Sequence, residues 1–245
     1  MALARPGWDL RAVPMLSDNY AWLLVDEGTG VVALCDPAEA APALAALPGG
    51  RCDLVLLTHH HPDHVGGVAE VVAATGAKVA GHAADAHRLP PLDHALRPGE
   101  ALPVGAARAE VLDTPGHTRG HVAFHIAEAG VVLCGDTLFS LGCGRLLEGT
   151  AEEMFASLGR LGGLPGDTLV CCGHEYTESN ARYALTVEPG NEALRARAEE
   201  VAAQRRGGEP TVPTTVAEEL ATNPFLRAPD AAALGRLRAG KDAFR

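Results

Sequence analysis

The chain has 245 residues, of which 47% are apolar and 21% charged, a balance typical of globular proteins with a sizeable core. Its formal net charge of −11 argues against nucleic-acid binding, because phosphate contacts require basic surface. No apolar run approaches the roughly 18 residues of a membrane span. Charged residues near the N-terminus interrupt any apolar stretch long enough for a signal peptide. The six cysteines lack C-x-x-C pairs, so we expect buried thiols. These features predict a cytoplasmic monomer with no nucleic-acid or membrane partner.

Short apolar segments predict a mixed α/β body in the first part of the chain. Its predicted strands are joined by Gly-rich turns or flanked by Gly, Pro and polar residues. They cover residues 21–36 (two strands), 51–58, 78–83, 109–114, 121–126, 130–136 and 167–173. Helices are predicted at residues 37–48, 65–76 and 150–163, with Gly76 as a C-cap and Thr150 and Glu153 as a capping box.

The pattern changes near residue 175. Helical periodicity dominates residues 178–187, 191–206 and 229–244, and no strand is predicted there. We therefore predict a catalytic domain at residues 1–175 and a helical, substrate-binding region at residues 176–245.

The clearest functional signal is the sequence THHHPDH at residues 58–64, at the end of a predicted buried strand. Residues two apart in an extended segment face the same side, so His59 and His61 can converge on one ion. His60 points away from both and is interpreted as a residue that supports the ligands or has a structural role. A turn into the next helix would present Asp63 and His64 to a second ion. Imidazole and carboxylate ligands suit Zn, Fe or Mn.

Further candidate ligands stand where predicted strands end. His117, Asp136 and His174 each follow a glycine, which lets the backbone turn and approach a site closely. Two divalent ions with two carboxylates and a bridging hydroxide would retain about one positive charge, which stabilises a developing oxyanion. His121 lies close enough to contact a ligand, although a surface or core role is favoured for it.

The ordered pattern H-x-H-x-D-H, then His, Asp and His, resembles the metallo-β-lactamase superfamily. The resemblance implies an αββα sandwich with metals at one edge, followed here by a small C-terminal helical domain. Several stretches resemble the hydroxyacylglutathione hydrolase (glyoxalase II) family more narrowly. They are SDNY from residue 17, THHHPDH from 58, TPGHT from 114, GDTLF from 135, GCGR from 142, EGT from 148, GHEYT from 173, NPFLR from 223 and KDAF from 241.

The resemblance implies a role for each candidate metal ligand. One of two divalent ions, Zn being favoured over Fe and Mn, would be bound by His59, His61 and His117. The other would be bound by Asp63, His64 and His174. Asp136 and a hydroxide would bridge the pair, which makes Asp63 and Asp136 the catalytic carboxylates.

The same resemblance implies that glutathione is bound by Arg145, Tyr176, Arg238 and Lys241. Arg and Lys can hold the carboxylates of a tripeptide, and Tyr can hold a backbone carbonyl. Some family members carry an aromatic hydroxyl where this chain has Leu147. One hydrogen bond to glutathione would then be absent.

The implied reaction converts S-(2-hydroxyacyl)glutathione, typically S-D-lactoylglutathione, and water into a 2-hydroxy acid and glutathione, a step of methylglyoxal detoxification. Three alternatives remain open. A persulfide dioxygenase shares the fold but uses one iron, and a lactonase or β-lactamase shares the metal core. A non-catalytic metal-binding module is the third. The complete ligand set and the basic C-terminal residues favour the thioesterase.

Overall fold

The computed structural model describes residues 4–244 and contains two six-stranded sheets packed face to face. The first sheet has strand order β1-β2-β3-β4-β5-β6, antiparallel from β1 to β3 and parallel from β3 to β6. Its strands are β1 (Trp8–Met15), β2 (Asn19–Asp26), β3 (Val32–Cys35), β4 (Leu54–Leu56), β5 (Lys78–His82) and β6 (His94–Leu96).

The second sheet has order β14-β13-β10-β9-β8-β7, and only its β10–β13 pair is parallel. A small hairpin of β11 and β12 stands beside it. These strands are β7 (Ala101–Val104), β8 (Ala107–Asp113), β9 (Val122–Ile126), β10 (Val131–Gly135), β11 (Leu138–Phe139), β12 (Gly142–Cys143), β13 (Leu169–Cys172) and β14 (Thr214–Thr215).

Helices cover the outer faces of the two sheets. They are α1 (Ala40–Ala46), α2 (Pro62–Val65), α3 (Val68–Thr75), α4 (Ala151–Gly162), α5 (Thr177–Val187), α6 (Glu192–Arg206), α7 (Val216–Thr222) and α8 (Ala231–Ala243). The αββα sandwich with a C-terminal helical domain is therefore confirmed. None of these helices is long and apolar enough to cross a membrane.

The alternation of side chains along β2 separates two hydrophobic cores. Trp22 and Leu24 belong to the large cluster between the sheets, whereas Ala21 and Leu23 belong to the cluster under α1 and α3. The Trp22 indole N–H donates to the carbonyl of Cys172 at 2.8 Å. This bond ties the first sheet to the second near the edge that carries the candidate site.

Several local predictions are confirmed. Residues 21–36 form an antiparallel pair, β2 and β3, and α3 ends at Gly76 with a φ of 72°. At α4, the Thr150 hydroxyl accepts the Glu153 N–H, and the Glu153 carboxylate accepts the Thr150 N–H. All six cysteines are free and buried.

The prediction that no strand follows residue 176 was wrong. Strand β14 pairs with β13, placing Thr214 beside Val170 and Thr215 beside Leu169. Two residues are too short a segment to show an alternating pattern, so only the tertiary structure reveals this strand. The chain beyond residue 176 therefore contributes an edge to the second sheet as well as helices.

Candidate metal centre and substrate cavity

Strand ends bring all seven predicted ligands to one edge of the sandwich. Strand β4 is followed by His59 and His61 and then by the short helix α2, which carries Asp63 and His64. His117 lies in the loop between β8 and β9. Asp136 and His174 follow the neighbouring parallel strands β10 and β13. Parallel strands end at the same sheet edge, which explains why residues 38 positions apart in the sequence meet here.

The first group consists of three imidazoles, those of His59, His61 and His117. His61 Nδ1 lies 3.0 Å from Nε2 of His59 and 3.0 Å from Nε2 of His117. His59 is fully buried, and His117 is 5% exposed. Three ring nitrogens so close together need either a shared proton or a shared cation.

The partners of the outer nitrogens decide which lone pairs face inward. The Thr58 hydroxyl donates to Asp36 at 2.6 Å, so His59 Nδ1–H must donate to that hydroxyl, 3.0 Å away. His117 Nδ1 faces the carbonyl oxygen of Arg145 at 2.9 Å and must donate to it. Nε2 of both rings is therefore an unprotonated, inward-facing acceptor, the form that binds a metal.

The second group consists of Asp63, His64 and His174. Nδ1 of His64 lies 3.1 Å from the Asp36 carboxylate, and Nδ1 of His174 lies 2.9 Å from the Asp18 carboxylate. Each carboxylate holds a proton on the outer nitrogen and turns the inner nitrogen toward Asp63. Asp36 also lies within 4.8 Å of His59 and His64. Both its oxygens already accept hydrogen bonds from Thr58 and His64, so we assign it to orienting ligands and not to binding an ion.

Asp136 lies between the two groups. One of its oxygens is 3.5 Å from His117 Nε2 and 3.4 Å from His174 Nε2, and the other is 3.4 Å from His64 Nε2. Within residues 4–244, neither His64 Nε2 nor Asp136 Oδ1 has a hydrogen-bond partner, although both are buried. Buried polar atoms without partners are costly, and a cation between these atoms would satisfy them.

Glycine makes room for this arrangement. A Cβ on Gly173 would fall 2.6 Å from both Asp136 Oδ1 and His64 Cε1, so any side chain would intrude on the ligands. Gly135 has a φ of +47°, and a Cβ there would fall 2.3 Å from the Thr58 hydroxyl oxygen. The sequence-based expectation that glycine permits close approach at these strand ends agrees with both contacts.

The electrostatics of the two groups differ. Burial lowers the pKa of His59 and, with the neighbouring His117, lowers that of His61 to about 4. Burial also disfavours a charged His174, but the carboxylates of Asp136 and Asp63 outweigh it and raise its pKa to about 10. The imidazoles of the first group are therefore neutral, whereas His64 and His174 of the second group favour the protonated form because carboxylates surround them. Together they fit two divalent cations.

Several supporting residues were not found from the sequence. Asp18 and Asp36 orient His174 and His64, and the Asn19 amide donates to the backbone and carboxylate oxygens of Asp63 at 2.9 and 3.2 Å. Asp18 and Asn19 lie within the SDNY stretch from residue 17, so the family resemblance of that stretch could have pointed to them. Asp36 follows a buried strand without a histidine beside it and carries no such signal.

His121 is a buried supporting residue. Its Nε2 accepts the backbone N–H of Asp136 at 3.1 Å, and its ring stacks on His59 with centroids 4.8 Å apart. Its Nδ1 lies 2.9 Å from the Thr114 hydroxyl oxygen. Nε2 thus holds the backbone of the candidate ligand Asp136, and Nδ1 contacts a threonine hydroxyl. The expected surface or core role becomes that of a buried residue supporting the site.

A cavity of about 310 Å³ opens beside His117 and Asp136, a volume in the range of small-molecule sites. The four predicted substrate-binding residues all line it: Arg145, Tyr176, Arg238 and Lys241. The structure therefore brings the predicted ligands and the predicted substrate residues to the same cavity. Its two sides come from the loop after β12 and from α5 and α8.

The two cations on α8 already have protein partners. Arg238 is 6% exposed and donates to the carbonyl of Cys143 at 2.6 Å and to Asp242 at 2.9 and 3.1 Å. Lys241 Nζ donates to the hydroxyl of Ser179 at 2.7 Å. Sequence reasoning identified both cations but missed these partners, because only the folded chain brings them together.

Tyr176 and Arg145 are more accessible. The Tyr176 ring stacks on the His174 ring with centroids 4.6 Å apart and planes 7° apart, and the side chain remains 38% exposed. Arg145 is exposed, and its backbone carbonyl orients His117. One wall residue on each side of the cavity thus contacts a candidate ligand directly.

The sandwich and the histidine–aspartate centre define the class of protein. Residues 16–174 match the family model described as the metallo-beta-lactamase superfamily, and the chain belongs to it. The structure resembles that of ETHE1 from Myxococcus xanthus, with a TM-score of 0.70 and 25% identity over 94% of this chain and 89% of that one. It also resembles TTHA1623 in a di-iron-bound form, with a TM-score of 0.57 and 33% identity over 67% and 91%.

Within this superfamily, the chain belongs to the hydroxyacylglutathione hydrolase family. Residues 175–244 match the model described as the hydroxyacylglutathione hydrolase C-terminus. The hydroxyacylglutathione hydrolase of Acidiphilium cryptum is 52% identical over the full length of both chains. That of Fuscovulum blasticum is 52% identical over 96% of this chain and 99% of its own.

Proposed function

We propose that the chain is a metal-dependent thioesterase that converts S-(2-hydroxyacyl)glutathione and water into a 2-hydroxy acid and glutathione. The observation that carries this proposal is one cavity with the histidine–aspartate centre at one end and a cationic wall along it. S-D-lactoylglutathione is the proposed substrate, and detoxification of methylglyoxal in the cytoplasm is the proposed role. Membership of the hydroxyacylglutathione hydrolase family supports the same reaction.

The proposed ligands are the two groups described above, with Asp136 shared between them. The neutral donors His59, His61 and His117 and the charged side with Asp63 suit two divalent ions, Zn being favoured over Fe and Mn. Such ions would lower the pKa of a bound water to about 7 and polarise the thioester carbonyl. A metal analysis of protein purified without added metal tests the identity of the ions.

The remaining chemistry belongs to the side chains of the chain. In the metal-free protein, hydrogen bonding with His174 lowers the pKa of Asp63, so its carboxylate is ionised and available to an ion or an attacking water. Arg145 and Lys241 would bind the carboxylates of glutathione, and the Tyr176 hydroxyl would bind a peptide carbonyl. Their contribution is to orientation, which is worth several kcal/mol in well-aligned reactions, about 7–11 at the upper end.

The leaving group explains why the site needs no dedicated acid. Hydrolysis breaks the bond between the acyl carbon and sulfur, and the electron pair leaves on sulfur as glutathione thiolate. Because the pKa of a cysteine thiol is about 8.5, its thiolate is a weak base and departs with little protonation. Arg238, held by the Cys143 carbonyl and Asp242, adds positive charge to this wall and fixes its shape.

The test is hydrolysis of S-D-lactoylglutathione, followed by loss of the thioester absorbance. Activity should vanish after chelation and return with metal, and S-lactoyl-N-acetylcysteine, which lacks the tripeptide carboxylates, should show a higher KM with a similar kcat. Two bound metals without turnover of either thioester would overturn the proposal. Oxygen consumption with glutathione persulfide would favour the dioxygenase instead.

A further inference from the structure

Four ionisable side chains outside the proposed ligand set form one cluster beside the three-histidine group. We name this cluster, His60, Asp85, Arg88 and Glu148, the clasp. Asp85 is 2% exposed, and its two oxygens lie 3.0 Å from His60 Nδ1 and 2.6 Å from Arg88 Nε. Arg88 also donates through both terminal nitrogens to the Glu148 carboxylate. A carboxylate buried this deeply is tolerated because its charge is paired.

The clasp holds the segment that carries His117 from two sides. On one side, Gly120 packs against Asp85, and a Cβ there would fall 2.4 Å from Asp85 Cγ. On the other side, Glu148 accepts the backbone N–H of Arg119 at 2.8 Å. The backbone N–H of Glu148 donates to the carbonyl of His117 at 3.3 Å. The backbone around His117 is therefore fixed between two partners of Arg88.

The same cluster is connected to all three imidazoles of the first group. His117 Nδ1 donates to the Arg145 carbonyl, and Arg145 lies three residues before Glu148 in one loop. His60, held by Asp85, lies between His59 and His61 in the chain. Every imidazole of the first group is thus linked to the clasp by a chain neighbour or a backbone hydrogen bond.

The second group is oriented by different residues. Asp36 orients His64, Asp18 orients His174, and Asn19 donates to Asp63. Within residues 4–244, no hydrogen bond or ion pair joins Asp36, Asp18 or Asn19 to the clasp. The clasp therefore contacts the supports of the three-histidine half alone, whereas Asp36 reaches both halves, because it also accepts the Thr58 hydroxyl that orients His59.

We propose that Arg88 and Glu148 are positioning residues that set the metal affinity of the three-histidine half and leave the other half unchanged. The salt-bridged Arg88 joins buried Asp85 to Glu148 and so keeps the loops of His59, His61 and His117 in one arrangement. Residues that orient metal ligands typically change metal affinity by about 10–100-fold when they are replaced. The inference rests on the proposed metal centre and is independent of the substrate.

The test is a zinc titration of the metal-free full-length protein against a chromophoric chelator, which resolves two binding constants. Arg88→Gln and Glu148→Gln should each weaken one constant by about tenfold or more and leave the other within about twofold. The double variant should bind zinc no more weakly than the weaker-binding single variant, because the two residues act as one pair. Arg51→Gln is the matched control, since it removes an Arg from an exposed pair with Asp53, and both constants should stay at the wild-type values.

Ligand variants identify the affected half. In a His61→Ala background, which removes the first site, Arg88→Gln should not change the remaining zinc constant. In an Asp63→Ala background, it should weaken the remaining constant about tenfold. Unchanged constants in Arg88→Gln and Glu148→Gln, or equal weakening of both constants, would overturn the inference. Wild-type protein that binds no zinc would instead overturn the proposed metal centre, so the two failures are distinguishable.

Discussion

The metal centre and the cationic wall of the cavity differ in how their side chains are held. At the metal centre, four histidines (His59, His64, His117 and His174) have an outer nitrogen fixed by a neighbouring acceptor, which leaves the inner nitrogen unprotonated or shared with a carboxylate. On the wall, Lys241 and Arg238 are held by residues that a substrate would have to replace or accommodate. The ligand nitrogens are therefore already directed at one point, whereas the proposed substrate would have to displace the present partners of the wall residues.

The largest expected effect comes from a change that forces the candidate metal ligands apart. Gly173→Ala places a methyl group 2.6 Å from Asp136 Oδ1 and His64 Cε1, so the ligands must move apart. We expect metal affinity to fall by about 100-fold and kcat/KM to fall at least as far. The measurements are a chelator competition and the thioester assay.

Gly190→Ala is the matched control for this change, because a Cβ at Gly190 meets nothing within 4 Å. It should leave both quantities at wild-type values. Full metal occupancy and wild-type turnover in Gly173→Ala would show that the ligands do not need their present spacing.

Lys241→Gln tests the cationic wall of the cavity. We expect KM to rise about tenfold with kcat within about twofold, because a charge-assisted hydrogen bond to a carboxylate is worth about 1.5–3 kcal/mol. Thermal unfolding should stay near that of the wild type, since Lys241 is only partly buried and Ser179 can bond to water. A fall in kcat at unchanged KM would place Lys241 in the chemical step.

Arg238→Gln should behave differently from Lys241→Gln. It removes bonds to Cys143 and Asp242 from a side chain that is 6% exposed, so the free energy of unfolding should fall by about 2 kcal/mol. Because the Cys143 strand carries the loop of Arg145, KM should rise as well. Chemical denaturation and steady-state kinetics measure the two effects. Unchanged stability would show that the bonds to Cys143 and Asp242 contribute nothing to the folded state.

The pH dependence of KM tests whether the charge of Lys241 contributes to substrate binding. Burial, followed by Arg238 and Arg182, lowers the pKa of Lys241 below its ordinary value. A lysine is charged below its pKa, so Lys241 loses its charge at a lower pH than a free lysine as pH rises. KM should therefore increase toward alkaline pH before an ordinary lysine would titrate. Lys241→Gln should remove this phase, and a phase that persists in the variant would assign it to another group.

Leu147→Tyr gives the smallest expected effect. Leu147 is 53% exposed, so a larger side chain fits without repacking. If the new hydroxyl bonds to glutathione, KM should fall about two- to fivefold, the value of a neutral hydrogen bond. Leu147→Phe controls for the ring alone and should leave KM unchanged. An equal gain with Phe would show that the ring, and not the hydroxyl, improves binding.

The sequence indicates candidate ligands more directly than contacts between distant segments, for a physical reason. Metal ligands are revealed by local spacing, as in His59 and His61 two apart in an extended segment, or Asp136 after a glycine at a strand end. Strand and helix patterns predicted a mixed α/β body with a helical C-terminal region, and the αββα sandwich was implied by the family resemblance. Contacts between distant segments leave no such pattern: Arg88 gives no sign of its distant partner Glu148, nor does Thr214 of its pairing with β13.

One feature of the C-terminal segment bears on how the protein is made. The carbonyl of Cys143 is bonded by Arg238, 95 residues later, and the N–H of Leu141 by Glu219, 78 residues later. All seven proposed ligands precede residue 175. A ribosome therefore releases every ligand before it releases the residues that complete the cavity wall. A nascent chain would therefore present all its proposed ligands before it could bind glutathione, and recognition of the thiol would be acquired last.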